Sequence, residues 1–302
     1  MRIKILITLL SVTFLLNLNI FTQAQEQSQE EGTRGFFLST RPTRTGGNNA
    51  KINKGITTST NGTGKVGTTP ETTRKDGTKR TPATHSVPTS HTNRIGLGYT
   101  LYLRDREDRA IRVDPAREFR SGEAIRVILE PNIDGYLYIF HTENDGKPGM
   151  LFPDVRLKKG DNAVRAHVPY EVPSGLNPNP KLRWFVFYDG PPATERLYIV
   201  VSHQPLPEVP IGENLLKHCQ KNKDNCPWQP TTDLWALIKK EATTIAQVSK
   251  DKTEGQLQSR VEKDSISRAI GLDKDAPPPS TICLSPSAER KMLVTLINLT
   301  HK

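Results

Sequence analysis

Residues 119–140, FRSGEAIRVILEPNIDGYLYIF, decide the fold class. Ser121-Gly122 reads as a turn, and Ala124 to Leu129 then alternates apolar and polar residues with the period of a β-strand. Pro131-Asn132-Ile133-Asp134-Gly135 reads as a second turn, because Asn and Asp tolerate left-handed backbone and Gly supplies positive φ. Tyr136-Leu137-Tyr138-Ile139-Phe140 follows and is apolar on both faces. Such a strand is covered on two sides and sits centrally in its sheet.

Working outward, the same texture begins at Gly98. Tyr99 to Leu103 is a strand, and Ile111-Arg112-Val113 is a second, ended by Asp114-Pro115. Asn144 to Gly149 is a strong turn leading into Met150-Leu151-Phe152-Pro153. Ala163 to Val168, Leu182 to Tyr188 and Arg196 to Val201 complete the set. Short strands of this density, with no helical pattern between them, predict an all-β domain over 96–210, a small antiparallel β-sandwich or barrel.

Three stretches carry a family resemblance: Phe119 to Phe140, the Gly-rich turn running into Leu-Phe-Pro at Gly146 to Pro153, and the closing ERLYIVVS of Glu195 to Ser202. Together they resemble bacterial domain-of-unknown-function family 4384, over about residues 97–207. The resemblance implies a small β module of exported and signalling bacterial proteins, often joined to other domains. It implies no activity, and the family offers no catalytic residues to carry over.

Ahead of this domain the chain changes character. Arg2 and Lys4 precede a mostly apolar run from Ile5 to Phe21, and Thr22-Gln23-Ala24 places small residues at the positions a signal peptidase reads. We expect a signal peptide over 1–24, cleaved between Ala24 and Gln25, rather than a retained anchor, because the run is short for a span and carries Asn17 and Asn19. Export makes the protein periplasmic or secreted. From Gly32 to Ile95, eleven Lys and Arg face only Glu71 and Asp76, a net of +9 out of +10 for the whole chain. With 34% hydrophobic residues overall, such a segment buries too little to offset its ordering entropy. Residues 25–95 are therefore expected to form a disordered basic linker, either a spacer or a contact for an anionic polymer. It lacks aromatics for base stacking, which argues against nucleic acid. Phe36-Phe37-Leu38 is its one apolar spot, a docking peptide or a leftover run.

Residues 211–290 read as a Cys-containing, partly helical extension with a flexible stretch. Cys219 and Cys226 are a disulfide candidate in an oxidising compartment. A zinc site from His218, Cys219, Cys226 and Cys283 is the alternative, with a spacing that matches no common pattern. Helices are expected over 233–249 and about 255–270. The apolar run from Lys291 to Leu299, within a terminal segment 291–302, is expected to pair with the domain, since a bare edge of that length invites aggregation.

The search for chemistry finds little. The seven His are scattered, and neither a metalloprotease pattern nor a nucleophile elbow nor a phosphate-binding loop is present. Ser174 beside Gly175 reads as a turn. Asp134, Glu143, Asn144 and Asp145 put oxygens on two loops, but without the spacing of a calcium loop. Tyr136, Tyr138, Trp184 and Tyr188 are a possible aromatic binding face, or core and cross-strand pairs. No cofactor or metal is expected, and no span crosses a membrane after cleavage. The reading is a non-enzymatic binding module of the cell envelope, its partner an envelope protein or polymer. A hydrolase or metal-dependent enzyme with a site dispersed over loops is the alternative.

Overall fold

The computed structural model describes residues 27–43, 94–156, 158–222 and 226–302. The expected signal peptide, its cleavage point at Ala24–Gln25, and residues 44–93 of the expected linker lie outside the described residues.

The stretch quoted above is an arch between two sheets. Its first strand, β4 (Ala124–Pro131), belongs to a seven-stranded sheet A, and its second, β5 (Gly135–Glu143), to a six-stranded sheet B. The turn uses chemistry other than expected. Gly135 has ordinary φ and is needed for close approach, since a Cβ there would lie 2.3 Å from the Ser202 carbonyl oxygen. Asn132 works through its amide, accepting from Gly96 N at 2.6 Å and donating to the Arg94 carbonyl at 3.0 Å.

Sheet A runs β11 (Gln247–Lys250), β12 (Thr281–Leu284), β1 (Gly96–Arg104), β4, β8 (Tyr170–Val172), with β2 (Ala110–Arg112) on β1 and β9 (Phe185–Val186) on β4. Sheet B runs β3 (Glu118–Phe119), β13 (Met292–His301), β10 (Ala193–Ser202), β5, β6 (Gly149–Phe152), with β7 (Ala163–Val164) on β5. Among the described residues every pairing is antiparallel except the two-residue contact of β3 with β13. β13 pairs with β10 from Met292 to His301, ten residues in register.

Alternation along the strands builds the core. Leu97, Tyr99, Leu101, Ile125, Val127, Leu129 and Cys283 of sheet A meet Leu137, Ile139, Leu197, Ile199, Val201, Ile297 and Leu299 of sheet B, all buried. On β5 and on the middle of β10 the opposite residues are covered as well. Tyr138, Phe140, Tyr198 and Val200 form a second buried cluster under α2 (Glu213–Lys221) and α3 (Thr232–Ala242), through Leu215, Leu234 and Ile238. This is why Tyr136 to Phe140 reads as apolar on both faces.

The outer face of sheet A is covered by segments expected to be unfolded or flexible. Residues 27–39 form a helix, α1, and Phe37 is fully buried against Ile282 and Leu284 of β12. Gly96 and Gly98 make the seat: Cβ atoms there would come within 2.9 and 3.1 Å of the Phe37 ring. Arg34 donates to the Ser249 hydroxyl at 3.1 Å and pairs with Asp251 at 3.3 Å. The expectation of a disordered linker is thus overturned for 27–43. One aromatic in a socket and the buried Arg41–Glu130 ion pair order a segment whose average composition looks unfolded.

The remaining corrections lie downstream. The helix expected over 233–249 ends at Ala242, and residues 247–250 are β11, paired with β12. The helix expected over 255–270 is shorter, α4 (Arg260–Arg268), opened by a capping box between Ser259 and Glu262. The stretch expected to be flexible contributes β12 to the interior of sheet A. The strand expected over 182–188 is paired only at Phe185–Val186.

Candidate functional site

The described surface holds a cleft of about 850 Å³ at one end of the two sheets. Its floor comes from three neighbouring strands of sheet B. Register places Leu197 opposite His141 on β5, and Ala193 opposite His301 on β13, with Glu195 between them on β10. All three side chains lie on the inward parity of their strands, continuing the apolar series Leu137–Ile139, Ile199–Leu197 and Ile297–Leu299. Where the sheets end, that parity delivers polar groups into the gap. His301 is the last inward position of β13, whereas Glu143 and Ala193 continue the inward parity beyond His141 and Glu195.

Both rings address one carboxylate. His141 Nε2 bonds to Glu195 Oε2, and His301 Nε2 lies 3.3 Å from Oε1. A carboxylate oxygen accepts, so each ring donates from Nε2. Phe187 packs on the His301 ring at 5.2 Å between centroids, and His301 is buried. One wall is the disulfide Cys219–Cys226 with Leu215 and Trp228. The Trp228 carbonyl accepts from Met150 N at 2.9 Å, tying this wall to β6. The mouth carries Lys181, Glu143, Asp189 and Tyr188, whose side chain stands out with the residue 78% exposed.

The expected aromatic face is not assembled. Trp184 lies on the outer side of sheet A under the Arg126 guanidinium, 3.6 Å from its ring centre. Tyr138 is buried in the cluster beneath α2 and α3, its hydroxyl accepting from Leu206 N at 2.9 Å. Tyr136 packs beside that cluster. Only Trp184 and Tyr188 reach the cleft. Burial pushes the Tyr138 phenol above its usual range.

Three of the four oxygen ligands considered for calcium are spent locally. Asp134 accepts from Ala166 N at 2.8 Å, Asn144 accepts from Thr194 N at 2.9 Å, and Asp145 pairs with Arg196. The zinc alternative is overturned, because Cys219 and Cys226 are joined to each other and Cys283 is buried in β12. Among the described residues no group of three or more His, Cys, Asp or Glu is arranged to hold a metal ion. At His141, Glu195 and His301 the ring nitrogens turn onto the carboxylate oxygens themselves. Ser174 caps a turn, its hydroxyl accepting from Leu176 N. No helix among the described residues is long and apolar enough to cross a membrane.

The strands and cleft define a mostly β protein built on two sheets, with four helices among the described residues. Residues 118–205 match the family model described as domain of unknown function DUF4384. The match runs from β3 to the end of β10. It includes His141 and Glu195 and stops short of His301. No curated protein and no solved structure matches the chain.

Proposed function

We propose that the protein is an exported, non-enzymatic binding module of the bacterial cell envelope, a β-sandwich whose ligand sits in the cleft floored by His141, Glu195 and His301. The observation that carries this reading is the cleft itself. It is a concave site of ligand size whose largely apolar lining is interrupted by a few convergent polar groups, the usual make-up of a binding pocket. The apolar run of residues 5–21 and the Cys219–Cys226 bridge support an oxidising destination.

The test is to block the cleft. Pro191 lines its mouth and is exposed, so Pro191→Trp narrows it without touching the core. Fractionated envelope glycans, peptides and lipids would be titrated into the chain from Gln25 onward, with cleft amides followed by NMR. Saturable shifts at Tyr188, His301 and Trp228 that Pro191→Trp removes are expected. Binding that maps elsewhere, or ignores the substitution, overturns the reading.

A second reading rests on one feature. A carboxylate that holds a histidine by one ring nitrogen leaves the other free as a general base. Among the described residues the cleft is lined by no Ser or Thr, and its two Cys are bridged, so this chemistry would use water as nucleophile. Turnover of a bound ligand that His141→Asn abolishes while binding persists would favour it.

A further inference from the structure

We infer that the cleft selects a cationic peptide, with lysine-type ammonium groups reaching Glu143 and Asp189 while their aliphatic stems lie along Tyr188; this rests on the binding reading above. The first ground is charge. The lining carries four carboxylates, Glu143, Asp154, Asp189 and Glu195, against two cations, Arg156 and Lys181. With neutral histidines that is a formal net of −2, on a chain of net +10.

The second ground is which carboxylates are free. Asp154 is held by Arg156, and Glu195 by the two ring N–H groups. Glu143 and Asp189 stand exposed at the mouth and make no ion pair among the described residues. Two uncommitted carboxylates, beside an exposed tyrosine face, suit an ammonium group on an apolar stem.

The third ground separates a peptide from a small polyamine. The cleft lies between edge strands of both sheets, β6 of sheet B and β9 of sheet A. Each pairs with a strand on one side only; on β6 the Met150 N–H is already taken by the Trp228 carbonyl, so it is the outer side of β9 that offers main-chain donors and acceptors to an added extended segment.

The experiment uses the chain from Gln25 onward and four probes: a tetralysine peptide blocked at both ends, the same peptide with acetylated side chains, blocked tetraglutamate, and spermine. Tetralysine should bind at the cleft, weaken with added salt, and lose about tenfold in affinity in the Glu143→Gln/Asp189→Asn double variant. Both positions are exposed, so that variant keeps its fold. Equal binding of the acetylated peptide, or no loss in the double variant, overturns the cationic selection. Spermine binding as tightly as tetralysine overturns the peptide. If tetraglutamate or acetylated peptide binds and Pro191→Trp blocks it, the cleft stands and only its charge preference falls. If Pro191→Trp affects no probe, both readings fall.

Discussion

Arg41 grips Glu130 through two parallel hydrogen bonds, Nε to Oε1 at 2.8 Å and Nη2 to Oε2 at 2.7 Å, with both side chains shut off from solvent. The pair joins the residues after α1 to the outer face of β4. His167 completes it. The ring bonds Glu130 Oε1 through Nδ1 and the Thr40 hydroxyl through Nε2, both at 2.8 Å, and its backbone receives Leu272 N and reaches Pro131. Arg41 also donates to the Ala276 carbonyl at 2.8 Å. Three distant parts of the chain therefore share one buried carboxylate.

Removing one partner leaves the other charged and dry. Arg41→Met should lower unfolding free energy by about 3–5 kcal/mol, the usual cost of breaking a buried pair from one side. Urea denaturation measures it. Arg41→Met/Glu130→Leu should recover much of that loss, because neither charge is then stranded. A double variant no better than the single one would show that the pair acts through packing.

A second buried cluster predicts a similar asymmetry. Glu262 takes the Ser259 N–H on one oxygen and, on the other, both the Tyr102 hydroxyl at 2.8 Å and the Arg112 guanidinium at 3.0 Å. The helix cap and the sheet-to-helix contact are thus one side chain. Glu262→Ala should cost about 3–5 kcal/mol, and Tyr102→Phe about 1–3 kcal/mol through the stranded Arg112 donor. Amide exchange over 260–268 should rise sharply in the first variant.

Stability should fall on the alkaline side. Burial pushes the Cys283 thiol up to about 11 and the Tyr99 phenol up to about 12. A folded state that holds its proton more tightly than the unfolded chain is favoured fully below the unfolded value. That advantage is lost as pH rises through the folded one. The window runs from about pH 9 to 12, and each group contributes on the order of 2 kcal/mol. Urea midpoints at pH 8 and 11 check this, and Cys283→Ala should flatten the limb. The same burial makes Cys283 slow to alkylate at pH 8 until the protein is denatured.

The Cys219–Cys226 bridge closes a short loop, with a sequence separation of seven. Chain entropy puts its contribution at about 2 kcal/mol. Reduction should lower the urea midpoint accordingly. It should also loosen Trp228 against β6, seen as faster exchange of the Met150 amide.

Much of the fold is legible in alternation alone. Tyr136 to Phe140 announces its double burial, and Ile125, Val127 and Leu129 mark the inward face of β4. The docking of 27–43 is not, because averaging over a Thr- and Lys-rich segment hides one Phe and one Arg whose partners lie far along the chain. Thr281 to Leu284 is too short to show a period, and its place inside sheet A depends on pairing with β1. The cleft is hidden for a different reason. His141, Glu195 and His301 each look unremarkable in sequence, and only the register of β5, β10 and β13 puts them side by side. A polar residue on the inward parity near the end of an otherwise apolar strand is the signal that could have marked each one.

The pairing of β10 with β13 has a consequence during synthesis. Ser202 and Met292, partners in the folded register, leave the ribosome well apart in time. At about 5–20 residues per second, the flank of β10 that β13 will occupy waits on the order of 5–20 s without its partner. Leu197, Ile199 and Val201 face an unfinished interior for all of that interval. Sticking of nascent chains to one another should therefore be worst for molecules stalled between these two strands.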